Sequence, residues 1–162
     1  MERIIKVIPP YFTMARSKLH VIQTLDDPLM SLLKDDPVRP EIPAEFRVSD
    51  HSEIFVYFND DNTPGAVVCC AYRNAVPANV AELSLVPATT PSVAVFYTIW
   101  SYTSGAGRKL IMSARSWIGM NRNNIQEYVT LSPPTDMARI FHIRNGAEVL
   151  RINADTVNYL YR

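Results

Sequence analysis

The sequence predicts an α+β domain, and three observations carry that prediction. Runs of apolar, β-branched and aromatic residues of strand length recur at Glu53 to Phe58, Ala66 to Tyr72, Ser92 to Ser101 and Tyr128 to Leu131. Two segments have helical spacing instead: Gly105 to Met120, and the stretch that follows Thr135. In the first half, strand runs follow one another through turns. In the second half they alternate with helices, as parallel pairing through crossovers requires. The predicted order is β, α, β, β, β, α, β, α, β.

Length and charge narrow the class. A chain of 162 residues, 48% hydrophobic, suits one compact domain over residues 1–162 and is too apolar for a disordered chain. Sixteen basic residues balance sixteen acidic ones, so no global field attracts nucleic acid. The local exception is Arg108-Lys109 with Arg115 and Arg122. No apolar run reaches bilayer length, which argues against a membrane partner. Met1-Glu2-Arg3 and the short run ending at Pro9-Pro10 lack the small-residue cleavage site of a signal peptide, so a cytoplasmic protein is expected. Cys69 and Cys70 are adjacent in a strand-like run and point to opposite faces, so they read as packing residues. His20, His51 and His142 are far apart, and no Cys/His cluster has metal-ligand spacing.

Taken in order, Ile4 to Phe12 reads as an edge strand, because Pro9-Pro10 cannot donate to a ladder. Thr13 caps an expected helix through Met14, Leu19, Ile22 and Leu25. Leu29-Met30 and Leu32-Leu33 suggest a second short helix. Asp35 to Pro43, with three prolines, is a loop. The strands at Glu53 to Phe58 and Ala66 to Tyr72 flank Asn59-Asp60-Asp61-Asn62 and Pro64-Gly65, which is a hairpin pattern. Asn74 to Pro91 is polar and proline-marked, without strong periodicity. The strand Ser92 to Ser101 leads into the helix Gly105 to Met120, which carries Leu110, Ile111, Ala114, Trp117 and Ile118.

The rest is organised around Val129 to Tyr161. A strand ends at Ser132-Pro133-Pro134, Thr135 caps a helix with Asp136 in its first turn, and Asn145-Gly146 stops it. Val149 to Tyr161 returns as strand. This order sets Ser132 at a strand tip and His142 near the end of the next helix, both able to face one crevice. Taken alone, Ser132 is also a strand-end hydroxyl before proline, and a lone His142 reads as a capped, half-buried helix residue.

These residues also form recognisable words: Thr130-Leu131-Ser132-Pro133, Phe141-His142 through Arg144-Asn145-Gly146-Ala147, Arg151-Ile152-Asn153 and Asn158-Tyr159-Leu160-Tyr161. Upstream stands Ala94-Val95-Phe96-Tyr97-Thr98-Ile99, and more weakly Thr63-Pro64-Gly65 to Pro77-Ala78-Asn79-Val80. Together, over about residues 50–162, they resemble the catalytic C-terminal domain of malonyl-CoA decarboxylases, a divergent branch of the GNAT (Gcn5-related N-acetyltransferase) superfamily. The resemblance implies the GNAT acyl-CoA N-acyltransferase fold, a mixed twisted sheet with helices on both faces. It assigns catalysis to Ser132 and His142. Two departures stand out. Only Pro133 to Phe141 lies between the two site words, where the family has a long insertion. The family's helical N-terminal domain and a segment of its last strand region have no counterpart here.

Ser104-Gly105-Ala106-Gly107-Arg108 joins strand to helix. Two glycines let a ligand approach the backbone, and the helix N-terminus with Arg108 and Lys109 suits phosphate. By itself the motif is also an ordinary Gly-rich helix start. The resemblance makes it the CoA pyrophosphate turn, in a Q/R-x-x-G-x-G/A pattern whose first position here is Tyr102. Ile99 and Trp100, in a strand expected to splay near Thr98 to Trp100, would border the thioester. Coenzyme A or an acyl-CoA is therefore the expected small-molecule substrate.

For a malonyl thioester, Ser132 would hydrogen-bond the carboxylate and His142 would assist the enolate or supply the proton. A superfamily Tyr that protonates the leaving thiolate would correspond to Tyr159, although core packing suits that residue as well. An alternative is an N-acyltransferase moving acetyl to an amine, with Glu82 or Glu53 as the base. A third is a non-catalytic GNAT-fold module acting on a protein partner. A homodimer is compatible with each.

Overall fold

A computed structural model describes residues 18–162. The expected strand Ile4 to Phe12 and the cap at Thr13 lie outside the described residues. From there the chain forms β1 (Leu19–Ile22), a 3-10 helix (Pro28–Asp35), α1 (Ala44–Arg47), β2 (Ser52–Phe58), β3 (Pro64–Arg73) and α2 (Val80–Leu83). It continues through β4 (Val93–Ser101), α3 (Ala106–Asn121), β5 (Glu127–Thr130), α4 (Asp136–Arg144), β6 (Glu148–Ile152) and β7 (Val157–Tyr161). The described strands make one mixed seven-stranded sheet in the order β1-β2-β3-β4-β5-β7-β6. Its one parallel pair is β4 with β5, and α3 supplies the crossover that such a pair needs.

Period 2 sorts the strands onto two cores. Ile54, Val56, Val67, Cys69 and Val95 face one side, under the 3-10 helix, α1 and α2. Phe55, Val68, Cys70, Tyr72 and Phe96 face the other, under Leu110, Ile111, Ala114 and Ile118 of α3. The two cysteines are free and buried on opposite faces, as alternation requires. Helices therefore cover both faces, which is the α+β architecture the sequence predicts.

Two expected elements take another form, and the short helices α1 and α2 are additional to the predicted order. Leu19–Ile22, expected within a helix, is strand β1, paired antiparallel to β2 from Leu19↔Tyr57 to Ile22↔Ile54. Its four residues include β-branched Val21 and Ile22, and an available sheet edge outweighs a helical spacing read over so short a window. The final strand is a hairpin. Asn153 N–H donates to Thr156 O at 2.8 Å, and β7 then inserts between β5 and β6. Within the polar stretch 74–91, α2 is a single turn. The Asn79 side chain caps Glu82 N–H, Glu82 Oε1 accepts from Ala78 N–H, and Leu83 is buried.

The loop before α1 holds a buried ion pair. Arg47 Nη1 donates to Asp36 Oδ2 at 2.7 Å, with side chains 1% and 0% exposed. Burial alone would raise the Asp36 carboxyl. The N–H groups of Arg39 and Val38, the Arg47 guanidinium and the Thr98 hydroxyl hold it below its usual value. Arg47 also donates to the carbonyls of Ile42 and Arg39. Removing one partner leaves a buried charge unpaired. Arg47→Met is therefore expected to lower unfolding stability by about 3–5 kcal/mol, measured by urea denaturation, while Arg162→Met, at an exposed pair, leaves the urea midpoint nearly unchanged.

Candidate active site

The site forms where β4 and β5 part. Their ladder runs from Val93↔Glu127 to Phe96↔Thr130 and closes with Leu131 N–H on Phe96 O at 3.0 Å. Beyond that point each strand takes its own course. In β4 the register against β3 shifts, with Cys70 opposite Phe96 and Cys69 opposite Thr98, so Tyr97 is an extra, bulged residue. The chain after β5 keeps the same register with β7, from Tyr128↔Tyr161 and Val129↔Leu160 to a bridge at Ser132↔Val157. Between these pairs, side chains replace the ladder. Thr130 Oγ1 accepts from Tyr159 N–H at 3.0 Å, and Asn158 Nδ2 donates to Thr130 O at 2.8 Å.

The divergence opens a cleft of about 510 Å3 between Tyr97 to Ser101 on one wall and Leu131 to Pro133 on the other. Met137, Ala138, Phe141 and His142 of α4 close its far side, and Pro37 and Val38 close another. No lining residue is Asp, Glu, Lys or Arg.

Ser132 and His142 both line this cleft, the one crevice their places in the sequence allowed. Ser132 is 4% exposed and donates from Oγ to Thr130 Oγ1 at 2.8 Å. Its backbone is clamped to Val157 by two 2.9 Å bonds. Thr135 caps α4 by accepting from Ala138 N–H, and Gly146 at φ 95° ends the helix, so His142 sits in its last turn. His142 is 3% exposed. Its Nδ1 lies 2.7 Å from the Tyr161 hydroxyl, and its ring stacks on Tyr159 at 5.0 Å. Nε2 has no hydrogen-bond partner among the described residues, so it is the nitrogen open to a molecule in the cleft. Burial depresses the imidazole to about 4, so it is neutral at pH 7. Burial raises the Tyr161 phenol, with Arg115 opposing, so that hydroxyl keeps its proton.

The other predicted residues divide. Ile99 and Trp100 line the cleft. Tyr159 is 2% exposed and does not line it; it lies behind His142. Glu53 is buried on the α3 side with Tyr72, Gln23 and Arg122, and Glu82 caps α2, so neither reaches the cleft. Gly105, at φ 83°, precedes α3, whose N-terminus has no side-chain cap. A Cβ on Gly107 would meet Phe141 and Ser101 Oγ at 2.9 Å, so this glycine lets α3 approach α4. Arg108 and Lys109 are exposed. Ser104, Ala106 and Lys109 border a second recess of about 530 Å3, shared with Lys18, Asp60 and Asp61. Tyr102 turns away from this turn: its hydroxyl donates to Asp35 at 2.6 Å and accepts from Trp100 Nε1.

Sequence reasoning missed Tyr161 as the partner of His142, and Thr130 and Asn158 as the groups that stitch the split. A polar residue inside the apolar run Val157–Tyr161 was the available signal, because a buried amide must find carbonyls.

The depressed imidazole has a stability consequence. The unfolded chain binds a proton near pH 6.5 and the folded chain only near 4, so stability is present above pH 6.5 and falls as pH drops toward 4. This loss, on the order of 3 kcal/mol, is expected in urea unfolding of the native chain and is absent between the same pH values in His142→Gln.

No protein-family model matches the sequence, and no curated protein matches it. Solved structures do match. Malonyl-CoA decarboxylase from Agrobacterium vitis superposes with a TM-score of 0.75 at 19% identity, over 94% of this chain and 62% of that one. The decarboxylase from Cupriavidus metallidurans gives 0.67 at 18%, over 91% and 61%. The GNAT domain of S. lividans PAT gives 0.58 at 16%, over 88% of both chains. The chain thus spans about three fifths of these two decarboxylases. At these identities the likeness is one of fold: this is a GNAT fold that resembles that of malonyl-CoA decarboxylase.

Proposed function

We propose that the chain is an acyl-CoA enzyme whose chemistry resembles the decarboxylation of malonyl-CoA to acetyl-CoA and carbon dioxide. The observation that carries this is that Ser132 and a neutral His142, both buried side chains, line one cleft without charged side chains, at the split between β4 and β5. Decarboxylation breaks the bond between the carboxylate carbon and Cα. Its electron pair passes into the thioester as an enolate, carbon dioxide leaves, and a proton then adds to Cα. An apolar cleft favours the step, because a carboxylate deprived of water gains by losing its localised charge. Ser132 would turn its hydroxyl from Thr130 and bond the carboxylate without pairing it to a cation. In the tautomer whose Nδ1 accepts from the Tyr161 hydroxyl the ring proton stands on Nε2, and from there His142 would donate to the enolate oxygen as a neutral imidazole. The proton for Cα comes from water admitted after carbon dioxide leaves.

The CoA portion would lie along Ile99 and Trp100, with its phosphates near Ser104 to Lys109. There the uncapped helix start and the two exposed cations suit an anion. An amine acetyltransferase would need a base in the cleft, and Glu53 and Glu82 lie outside it.

Calorimetry with CoA, acetyl-CoA and malonyl-CoA, followed by mass analysis of the malonyl-CoA sample, tests the proposal. Conversion to acetyl-CoA is expected, and absence of binding by all three overturns it. Ser132→Ala and His142→Ala are expected to lower turnover by about 10²–10⁴-fold while CoA affinity is kept. Because His142 works as a neutral donor, kcat should show no His inflection between pH 5.5 and 7.5. An inflection near the ordinary imidazole value, about 6.5, would mean that the imidazolium is the working form.

A further inference from the structure

At the apex of the split two main-chain carbonyls lie outside the regular β4–β5 ladder. Tyr97, the bulged residue, is out of register with β3, and β5 has already turned away. Leu131, on the other wall, is past the last β4–β5 pair. One side chain serves both. Arg39 donates from Nε to Tyr97 O at 2.9 Å and from Nη2 to Leu131 O at 2.9 Å.

Arg39 is itself held. Its N–H donates to Asp36 Oδ1, its C=O accepts from Arg47 Nη2 and from Ile42 N–H, and the Thr98 hydroxyl ties β4 to the same Asp36. The buried Asp36–Arg47 pair thus fixes the backbone from which the guanidinium reaches both walls. Arg39 makes no salt bridge among the described residues, so its fork is committed to the two carbonyls and not to a carboxylate. A guanidinium is planar and its N–H directions are rigid, so bonding through Nε and Nη2 sets the separation of the two oxygens. An unpaired buried carbonyl is costly, so the parted strands are favoured at the width the fork dictates.

We propose that Arg39 is a positioning residue that sets the width of the acyl slot, and through it the discrimination between acyl groups, by bridging the Tyr97 and Leu131 carbonyls across the parted strands. This rests on the acyl-CoA reading above. Arg39 touches neither the helix start at Ala106 nor the exposed cations beside it, so its effect should fall on the acyl end of the ligand. A shift of about 1 Å at a reacting centre costs about 10²-fold in rate, which gives a small change in slot width a large readout.

The test compares the native chain with Arg39→Met and Arg39→Lys. Calorimetry gives the dissociation constants of CoA, acetyl-CoA and malonyl-CoA, and thermal unfolding is recorded for each variant. The telling quantity is the ratio of the CoA constant to the acetyl-CoA constant, since neither ligand is turned over and the ratio cancels whatever the nucleotide end contributes. In Arg39→Met the CoA constant should stay within about threefold of native while that ratio falls about tenfold or more, the size of one or two lost positioning bonds. Arg39→Lys keeps the charge beside Asp36 but lacks the planar fork, so it should recover only part of the ratio. It gives the same comparison if Arg39→Met does not fold. An unchanged ratio in folded variants overturns the proposal. An equal loss for all three ligands also overturns it, because Arg39 would then serve the fold or the nucleotide end. A native ratio of one overturns it too, because the split would then hold no acyl group. Failure of the native chain to bind CoA in any form is a different result: it refutes the acyl-CoA reading itself, before any variant is compared.

Discussion

The structure depends on one constraint: two parallel strands must part inside a buried region without leaving their main-chain groups unpaired. β4 and β5 share a ladder only as far as Phe96 and Thr130. Past that point each polar group needs another partner, since water is excluded on both faces of the sheet. Thr130 and Asn158 stitch the β5 side to β7, and Arg39, fixed by the Asp36–Arg47 pair, satisfies Tyr97 and Leu131. The cleft exists because these side chains take over what a ladder would have done. An ion pair of this kind is weak evidence for stability in itself, because its desolvation offsets most of its attraction. Its role here is geometric.

The same burial that makes parting expensive sets the electrostatic character of the site. His142 sits among Phe141, Tyr159 and Tyr161 and is held neutral. Ser132 has a threonine hydroxyl as its neighbour and no base within hydrogen-bond reach among the described residues, so it is not activated as a nucleophile. No carboxylate lines the cleft. Such a site supplies hydrogen-bond donors in largely apolar surroundings, and it leaves the charge to be brought by the ligand. That suits a reaction in which the substrate carries the negative charge and disperses it.

Similarity of fold reaches further along the chain than similarity of sequence. The recognisable words begin near residue 50, whereas the superposition on the Agrobacterium vitis decarboxylase covers 94% of the chain. Where the words stop, the fold is carried by pattern and pairing, which many sequences satisfy. The departures also find physical expression. Tyr102, where the superfamily pattern has Gln or Arg, is bound to Asp35 and Trp100, so its side chain reinforces the 3-10 helix instead of the turn before α3. The short link Leu131 to Thr135 brings α4 directly from β5 onto Gly107, against which Phe141 packs.

What the sequence by itself determined is what local chemistry can encode. The strands from β2 to β5 are legible in β-branched and aromatic runs, α3 in its helical spacing, and both ends of α4 in Thr135 and Gly146. Ser132 and His142 are legible as the residues those ends deliver to one place. Tertiary structure decided the rest. Leu19–Ile22 became strand because β2 offered an edge, which no four-residue window can reveal. The last run became a hairpin because β5 needed an antiparallel neighbour. Glu53 and Glu82 were excluded from the site by facing or position, and Tyr161 was joined to His142 across 19 residues. Arg39 reaches Leu131 across 92 residues. Such contacts leave no periodicity in the chain, because a charged residue in a proline-rich loop looks like a solvated one until the fold brings unpaired carbonyls to meet it.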